Sequence, residues 1–306
     1  NTSDEEFLAL SGFNPIKTAQ NEVRKQLSGI LTANAYAVYD INRALKLRVT
    51  GGWSRTNGRY EVFNNSQTPL GSPLTKTGSD YGVSGSLIYN NQSSWINENT
   101  LTYQKQLNAD NQLNVVLGFT VQGNNEESYG AAANHLPNEY LGTAGLDEGQ
   151  PVAITSTSSG DKLASFLGRA NYTYRSKYLF TVSFRADGSS KFAPQNRWSY
   201  FPSGAFAWKI GEEDFMKRIG FISSAKLRLS YGATGNNRVD DFAYLSRISL
   251  PASGGYSYNN LPVKAALITE LGNRDFKWEA TKQADFGLHL GLLSQRITLE
   301  VDLYRK

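Results

Sequence analysis

The chain has no cysteine and only two histidines, and each scarcity removes a class of chemistry. Without cysteine there is neither a disulfide scaffold nor a thiolate metal site, a composition that fits a Gram-negative envelope protein. His135 and His289 lie far apart in sequence, which leaves little from which to build a histidine metal site or a serine triad. Long hydrophobic runs are also missing, since no stretch approaches the ~20 apolar residues a membrane-crossing helix needs. The first residue is Asn1, with neither an initiator methionine nor a secretory signal, so the sequence reads as an internal piece of a longer chain.

An excess of charge of one sign is absent too. The net charge of +4 comes from scattered lysines and arginines, and no basic cluster interleaves with stacking aromatics, which argues against a nucleic-acid partner. Two glycine-containing stretches resemble phosphate loops only superficially. "DGSSKF" (187–192) lacks the spacing and following helix of a P-loop, and Asp187 with Gly188 suits a strand-to-strand turn. "YGATGNN" (231–237) reads as a strand end entering a loop.

What the chain does have is alternation. In "KYLFTVSFRADGSSKF" (177–192), Tyr178, Phe180, Val182, Phe184 and Ala186 occupy one parity, against Leu179, Thr181, Ser183, Arg185 and Asp187 on the other, which is mostly polar and charged. Leu45, Leu47, Val49 and Trp53 oppose Lys46, Arg48, Thr50 and Ser54. Leu113, Val115, Leu117 and Phe119 repeat the pattern, as do Leu227, Leu229 and Tyr231 against Lys226, Arg228 and Ser230. Ile297, Leu299, Val301 and Leu303 oppose Thr298, Glu300 and Asp302. These segments run to about ten residues, the length of a membrane-crossing strand with an apolar outside and a polar lumen, whereas sandwich strands average about five or six. Tyrosine-rich composition, with 17 Tyr, suits strands with wet loops and aromatic belts.

Connection lengths support the same reading. Short links fall at 40–44, 108–111, 175–176 and 293–295, with a longer one at 211–224; long polar loops are expected at 55–80, 123–162 and 235–277, and a shorter one at 187–197. Short and long ends alternate, as periplasmic turns and extracellular loops do in outer-membrane barrels. The parity holds only if 81–107 crosses once, as a strand with a long extension above the membrane or with a loop hairpin feeding it, which makes ten crossings in this chain. Pro202 predicts a bulge, because proline removes a ladder donor. Lys282 falls on the lipid parity and requires a place near the rim, and His289 falls on the lumen parity. Tyr39, Tyr174, Tyr178, Trp208 and Tyr304 are expected in the periplasmic aromatic girdle.

The stretches "NENTLTYQKQLNADNQLNVVLGFTVQ", "LGRANYTYRSKYLFTVSFRADGSSKFAPQNRWSYFPSGAFAWKIGEEDFM", "KLRLSYGATGN" and "DFKWEATKQADFGLHLGLLSQRITLEVDLYRK" resemble the SusC/RagA-like TonB-linked outer-membrane transporters of Bacteroidetes. The resemblance runs from about residue 14 onward and is most specific in "FRADGSSKF…NRW.YFPS". It implies an all-β fold, part of a 22-stranded transmembrane antiparallel barrel, with all of 1–306 belonging to one barrel domain. It also implies a plug inside the barrel, coupling to TonB, a SusD-like surface lipoprotein as lid, and glycans or peptides as substrates. Neither plug nor TonB box is recognisable in this sequence. A passive or secretion-linked outer-membrane barrel shares the wall pattern, and a soluble β-rich adhesin or carbohydrate-binding module would need the tyrosine-rich faces to meet in a dry core.

No catalytic residues and no cofactor are expected. Glu212, Glu213 and Asp214 invite a glycosidase reading but fall in an inferred periplasmic turn, where solvated carboxylates are the ordinary case. Asp240 and Asp241 are where an outer-loop calcium ion would be sought, although no spaced ligand set accompanies them. Solute contact would call for aromatic platforms beside amides and carboxylates on the outer loops. The candidates are Tyr60, Phe63, Tyr129, His135, Asn138, Tyr140, Asp187, Asn236, Asp240, Tyr256 and Tyr258.

Overall fold

A computed structural model describes residues 14–250 and 255–306. Its strands in chain order are β1 (Glu22–Asp40), β2 (Leu45–Asn64), β3 (Ser84–Asn108), β4 (Asn111–Asn134), β5 (Gln150–Tyr174), β6 (Tyr178–Ser189), β7 (Trp198–Trp208), β8 (Ile222–Asn236), β9 (Arg247–Ser249), β10 (Gly255–Tyr258), β11 (Leu261–Lys264), β12 (Leu267–Glu270), β13 (Glu279–Leu292) and β14 (Ile297–Arg305). Ten of them form one antiparallel sheet in the order β1-β2-β3-β4-β5-β6-β7-β8-β13-β14. Every step but β8 to β13 joins consecutive strands, so the sheet is a meander, and the stretch 81–107 is one strand, as the connection parity requires.

Local chemistry sets the tight ends. Asn42 accepts from the Ala44 and Leu45 amides at 2.9 and 3.0 Å, and Asn108 accepts from the Asp110 amide at 3.0 Å, each closing a turn through its own side chain. Arg175 and Ser176 both take positive φ, as do Leu293, Ser294 and Gln295, the handedness that matches strand twist in two- and three-residue links.

The long ends differ from their expected bounds. Strand structure continues to Asn64 in β2 and to Asn134 in β4, and β5 already begins at Gln150. The loops proper shrink to 65–83 and 135–149. Outside the apolar band neither face need be hydrophobic, so the alternation disappears from the sequence while the backbone ladder goes on. Residues 237–278 carry two small antiparallel pairs, β9 with β12 and β10 with β11, and residues 251–254 of this loop lie outside the described residues.

The contacts divide the chain into two compact units. One comprises Trp53–Trp95, Asn124–Gly160 and the described residues up to Ala33. Its core is Phe63, Ala133 and Leu136, with Val83 and Leu146 packed against them. The other comprises Asn34–Gly52, Ile96–Gly123 and Asp161–Lys306, and buries Phe192, Phe201 and Trp278 against Leu163, Ala233 and Val239. Trp278 Nε1 donates to the Arg197 carbonyl at 2.8 Å, and the Gln195 and Asn196 amides reach the Arg274 carbonyl, tying 190–197 to the end of the long loop.

Two local expectations are overturned here. Asp187 and Gly188 lie inside β6, paired with Ser199 and Trp198, and the reversal comes later at 190–197. Gly188 is required for close approach, because a side chain there would meet the Trp198 indole at 2.7 Å. Pro202 makes no bulge toward β6, where it pairs in register with Phe184; the ladder from β7 to β8 begins at Ser203, so the missing donor falls beyond its end.

The register sorts the middle of the sheet into two faces. On one, Phe180 packs 4.9 Å from Phe206, Phe184 stacks on Tyr200 at 5.9 Å, and Tyr174, Tyr178 and Trp208 stack in a row at the short-turn end. Three of the five residues expected in a girdle thus come together at the short-turn end. Tyr304 is not part of it: it pairs with Asp285, on the parity of Asp302 and far along β14 from the 293–296 turn. On the other face Ser183 and Ser203 share a hydrogen bond of 2.6 Å and Thr181 donates to Asn171 at 2.8 Å. His289 lies on this second face, opposite Lys226 and Glu300.

The two faces can be told apart by arginine. Val182 is 64% exposed on the aromatic face, and Thr181 points the other way beside Ala205. Ser183 is a poor comparator, because Arg169 sits directly opposite it. In the full-length protein in lipid, Val182→Arg is expected to lower unfolding stability by about 2–4 kcal/mol and Thr181→Arg to leave it nearly unchanged. Equal losses in urea titration would contradict the assignment of faces.

Candidate functional site

The polar face is a wall of paired charges. Arg185 on β6 donates through Nε to both Asp187 oxygens at 2.8 Å and through Nη2 to Ser165 at 3.1 Å. Further along the sheet, Arg228 of β8 reaches across β13 to Glu300 at 2.5 Å and Asp302 at 2.9 Å on β14. Gly287 is the residue that permits this span. It pairs with both Arg228 and Asp302, and a side chain in its place would come within 2.5 Å of Asp302 Oδ1 and 2.9 Å of Arg228 Nε. Asp285 accepts from Ser230 at 2.9 Å and from Gln283 at 2.6 Å. Thr181, Arg228, Ser230, Asp285 and Asp302 line a recess of about 430 Å³ floored by Ala205 and Gly287. A larger recess of about 730 Å³ opens on the aromatic face between Phe180, Phe206, Leu229, Phe286 and Leu303, over the small residues Gly204 and Ala284.

The candidate solute contacts fall into two groups. In the first unit, Tyr129 is exposed on β4 and Tyr140 is 95% exposed, the two rings available for stacking. Tyr60 is half-buried on β2 beside Arg24. Phe63 is buried in that unit's core, and Asn138 caps the short helix Glu139–Glu148 by accepting from the Tyr140 amide at 3.1 Å. His135 holds a positive φ, its amide bonded to the Tyr81 carbonyl at 2.9 Å. Glu139 accepts from the Ser66 amide at 2.9 Å, joining 65–83 to 135–149.

In the second unit, Tyr256, Tyr258 and Asp240 are exposed. Asp187 is buried in its pair with Arg185, and Asn236 donates to Glu279 at 3.0 Å. The structure therefore leaves Tyr129 and Tyr140 free in one unit and Asp240, Tyr256 and Tyr258 free in the other. Asp241 faces Lys191 Nζ at 3.5 Å, and no group of three or more His, Cys, Asp or Glu side chains able to hold a metal occurs among the described residues. Sequence reasoning missed the Arg228–Glu300–Asp302 bridge. All three positions were legible as inward charges, but their register was not.

Glu213 is the carboxylate that departs most from expectation. It is not a freely solvated turn residue: it accepts from Lys177 Nζ at 2.9 Å, Tyr178 Oη at 2.8 Å and Trp208 Nε1 at 3.1 Å. The Lys177 ammonium, helped by the Tyr178 and Trp208 donors, lowers its pKa from 4.5 to about 2, so it stays ionised where a general acid would need its proton. Because the folded value is depressed, its stabilising contribution is complete above the ordinary pKa of 4.5 and fades as pH falls toward about 2. The full-length protein is thus expected to lose more thermal stability between about pH 5 and about pH 2.5 than its Glu213→Gln variant. Identical losses in heat-modifiability assays would count against the carboxylate network.

Comparison with known proteins accounts for the two-faced sheet. Residues 7–306 match the family described as TonB dependent receptor-like, beta-barrel. TonB-dependent receptor P3 of Formosa agariphila is 33% identical over 293 residues, covering 95% of this chain and 28% of that protein. TonB-dependent receptor SusC of Bacteroides thetaiotaomicron is 40% identical over 157 residues, 49% of this chain and 15% of its own length. The structure of the RagAB peptide transporter superposes with a TM-score of 0.81 at 23% identity, covering 94% of this chain and 30% of that one. The chain thus spans less than a third of the curated relatives it matches. Its aromatic face is a lipid face, its ion-paired face lines a lumen, and the chain belongs to the TonB-dependent receptor-like β-barrel family, whose barrel wall its ten strands help to build.

Proposed function

We propose that the protein containing this wall imports oligosaccharides or peptides across the outer membrane, working with a SusD-like surface lipoprotein and drawing energy from TonB through a plug that lies, with the remaining barrel strands, outside this sequence. The observation that carries the reading is the build of the long ends. The loop at 65–83 folds with 135–149 around Phe63 and Leu136, and the 237–278 loop is anchored by Trp278 and Val239 and extends into two small sheets. Hairpins need none of this, and large ordered outer loops are ordinarily binding elements. RagAB, which shares the fold, is a peptide transporter.

In this reading the wall contributes passage and the loops contribute capture. Several charges on the lumen face are paired with their neighbours: Arg228 with two carboxylates, Arg185 with Asp187, and Asp285 with Ser230 and Gln283. Such pairs hydrate well without holding a solute tightly, because these charges already have partners. Exposed rings at Tyr129, Tyr140, Tyr256 and Tyr258 offer flat apolar faces with a polar tip, suited to sugar rings or peptide side chains.

An obligate lid would bury about 2,000 Å² or more and survive gentle detergent. The intact protein is expected to purify from membranes with a near-equal amount of a surface lipoprotein. Excising 247–270, which leaves Val239 and Trp278 in place, is expected to weaken that pair without unfolding the barrel. Purification of the intact protein alone would defeat the lid and favour a passive or secretion-linked barrel.

A further inference from the structure

The connection between β7 and β8, residues 209–221, is the longest of the short-end links and carries two exposed aromatic rings. Phe215 is 56% exposed and Phe221 57%. Around them the charges are unevenly used: Lys217 is paired with Glu212 at 3.5 Å, whereas Lys209, Arg218 and Asp214 enter no ion pair among the described residues. An exposed phenylalanine pair beside unpaired cations is costly in water and favourable at the boundary of a phospholipid leaflet.

Glu213 decides on which side of the wall this connection lies. Its bonding partners Tyr178 and Trp208 pair directly across β6 and β7, and their rings stack at 6.1 Å on the same face as Phe180 and Phe206. A carboxylate that accepts from both polar tips must sit at the lipid-side rim, so the chain it belongs to is folded outward over that rim and not into the lumen. The neighbouring hairpin completes the surface. The Leu293 amide donates to the Phe221 carbonyl at 2.9 Å, and the Leu293 side chain is 53% exposed. Phe221 and Leu293 are thus two exposed apolar residues held together by their backbones just past the ends of β8 and β13.

We propose that residues 209–221 form an interfacial anchor: Phe215 and Phe221 enter the hydrocarbon edge of the leaflet at the short-turn end, and Lys209 and Arg218 reach the phosphates of its phospholipid headgroups. Phospholipid is the occupant favoured by two observations. Glu213 holds the connection against the lipid-facing rim, and two of its three unpaired charges, Lys209 and Arg218 against Asp214, are cations, the sign that headgroup phosphates attract. Glu213 acts as a positioning residue. By holding Tyr178, Trp208 and Lys177 together it fixes the angle at which the connection meets the membrane.

The test uses the full-length protein in nanodiscs of phosphatidylethanolamine and phosphatidylglycerol, with single fluorescent labels at Phe215→Cys, Phe221→Cys and, as a reference, Glu212→Cys. Each label is exposed to aqueous iodide and to a lipid with a nitroxide high on its acyl chain. The labels replacing Phe215 and Phe221 are expected to be quenched by the lipid nitroxide and shielded from iodide, and the reference label to show the reverse. Adding Glu213→Ala is expected to return iodide access at both sites. Iodide access at Phe215→Cys and Phe221→Cys equal to the reference would overturn the anchor. Shielding from both quenchers would also overturn it, since it would mean that protein covers the connection.

Discussion

A peptide group inside hydrocarbon has no water to bond to, and this requirement governs everything else in the sheet. Strands meet it by pairing on both sides, and the order from β1 to β8 and on to β13 and β14 does so with the fewest excursions. The chain's longest departure from the sheet lies between β8 and β13, and there it makes its own small ladders from β9 to β12. β1 and β14 are the edges of this sheet among the described residues, and the chain spans less than a third of its relatives.

Once pairing is fixed, alternation forces a division of labour between the faces. The lipid face is built by size and aromaticity, because hydrocarbon rewards neither charge nor hydrogen bonding. The lumen face is wet, yet the register still brings some of its charges into pairs, Arg185 with Asp187 and Arg228 with Glu300 and Asp302. Gly287 shows how the backbone serves this: by omitting a side chain it lets Arg228 on β8 reach both carboxylates on β14. Beyond the membrane the apolar face loses its solvent, and the chain must bury hydrophobic groups against itself. The clusters around Phe63 and Phe192 are that response.

This explains what the sequence could and could not reveal. Segments such as 178–186 and 297–303 were legible because one face is apolar over its whole length. The single crossing at 84–108 was legible from connection parity alone. The outer extensions of β4 and β5 were not, since neither face carries a sustained apolar row there and a strand looks like a loop. Asp187 and Gly188 have turn chemistry yet sit in a strand, where the pair with Arg185 and the space for Trp198 outweigh local preference. Pro202 gave a sound warning about a missing donor but not where the ladder to β8 would begin. Among the candidate contacts, Phe63 could not be distinguished from Tyr140 by sequence. One is buried against Leu136 and the other projects almost wholly into solvent, a difference set by long-range packing.

The central claim is that successive residues of one strand face different solvents. The most direct test is a single-label scan along β6 from Leu179 to Phe184 in the full-length protein in lipid, reading quenching by a lipid-borne nitroxide and by an aqueous quencher at each site. The account predicts two opposed period-two patterns, with lipid quenching greatest at Phe180, Val182 and Phe184 and aqueous quenching greatest at Leu179, Thr181 and Ser183. A scan without alternation, or with the phase reversed, would contradict it.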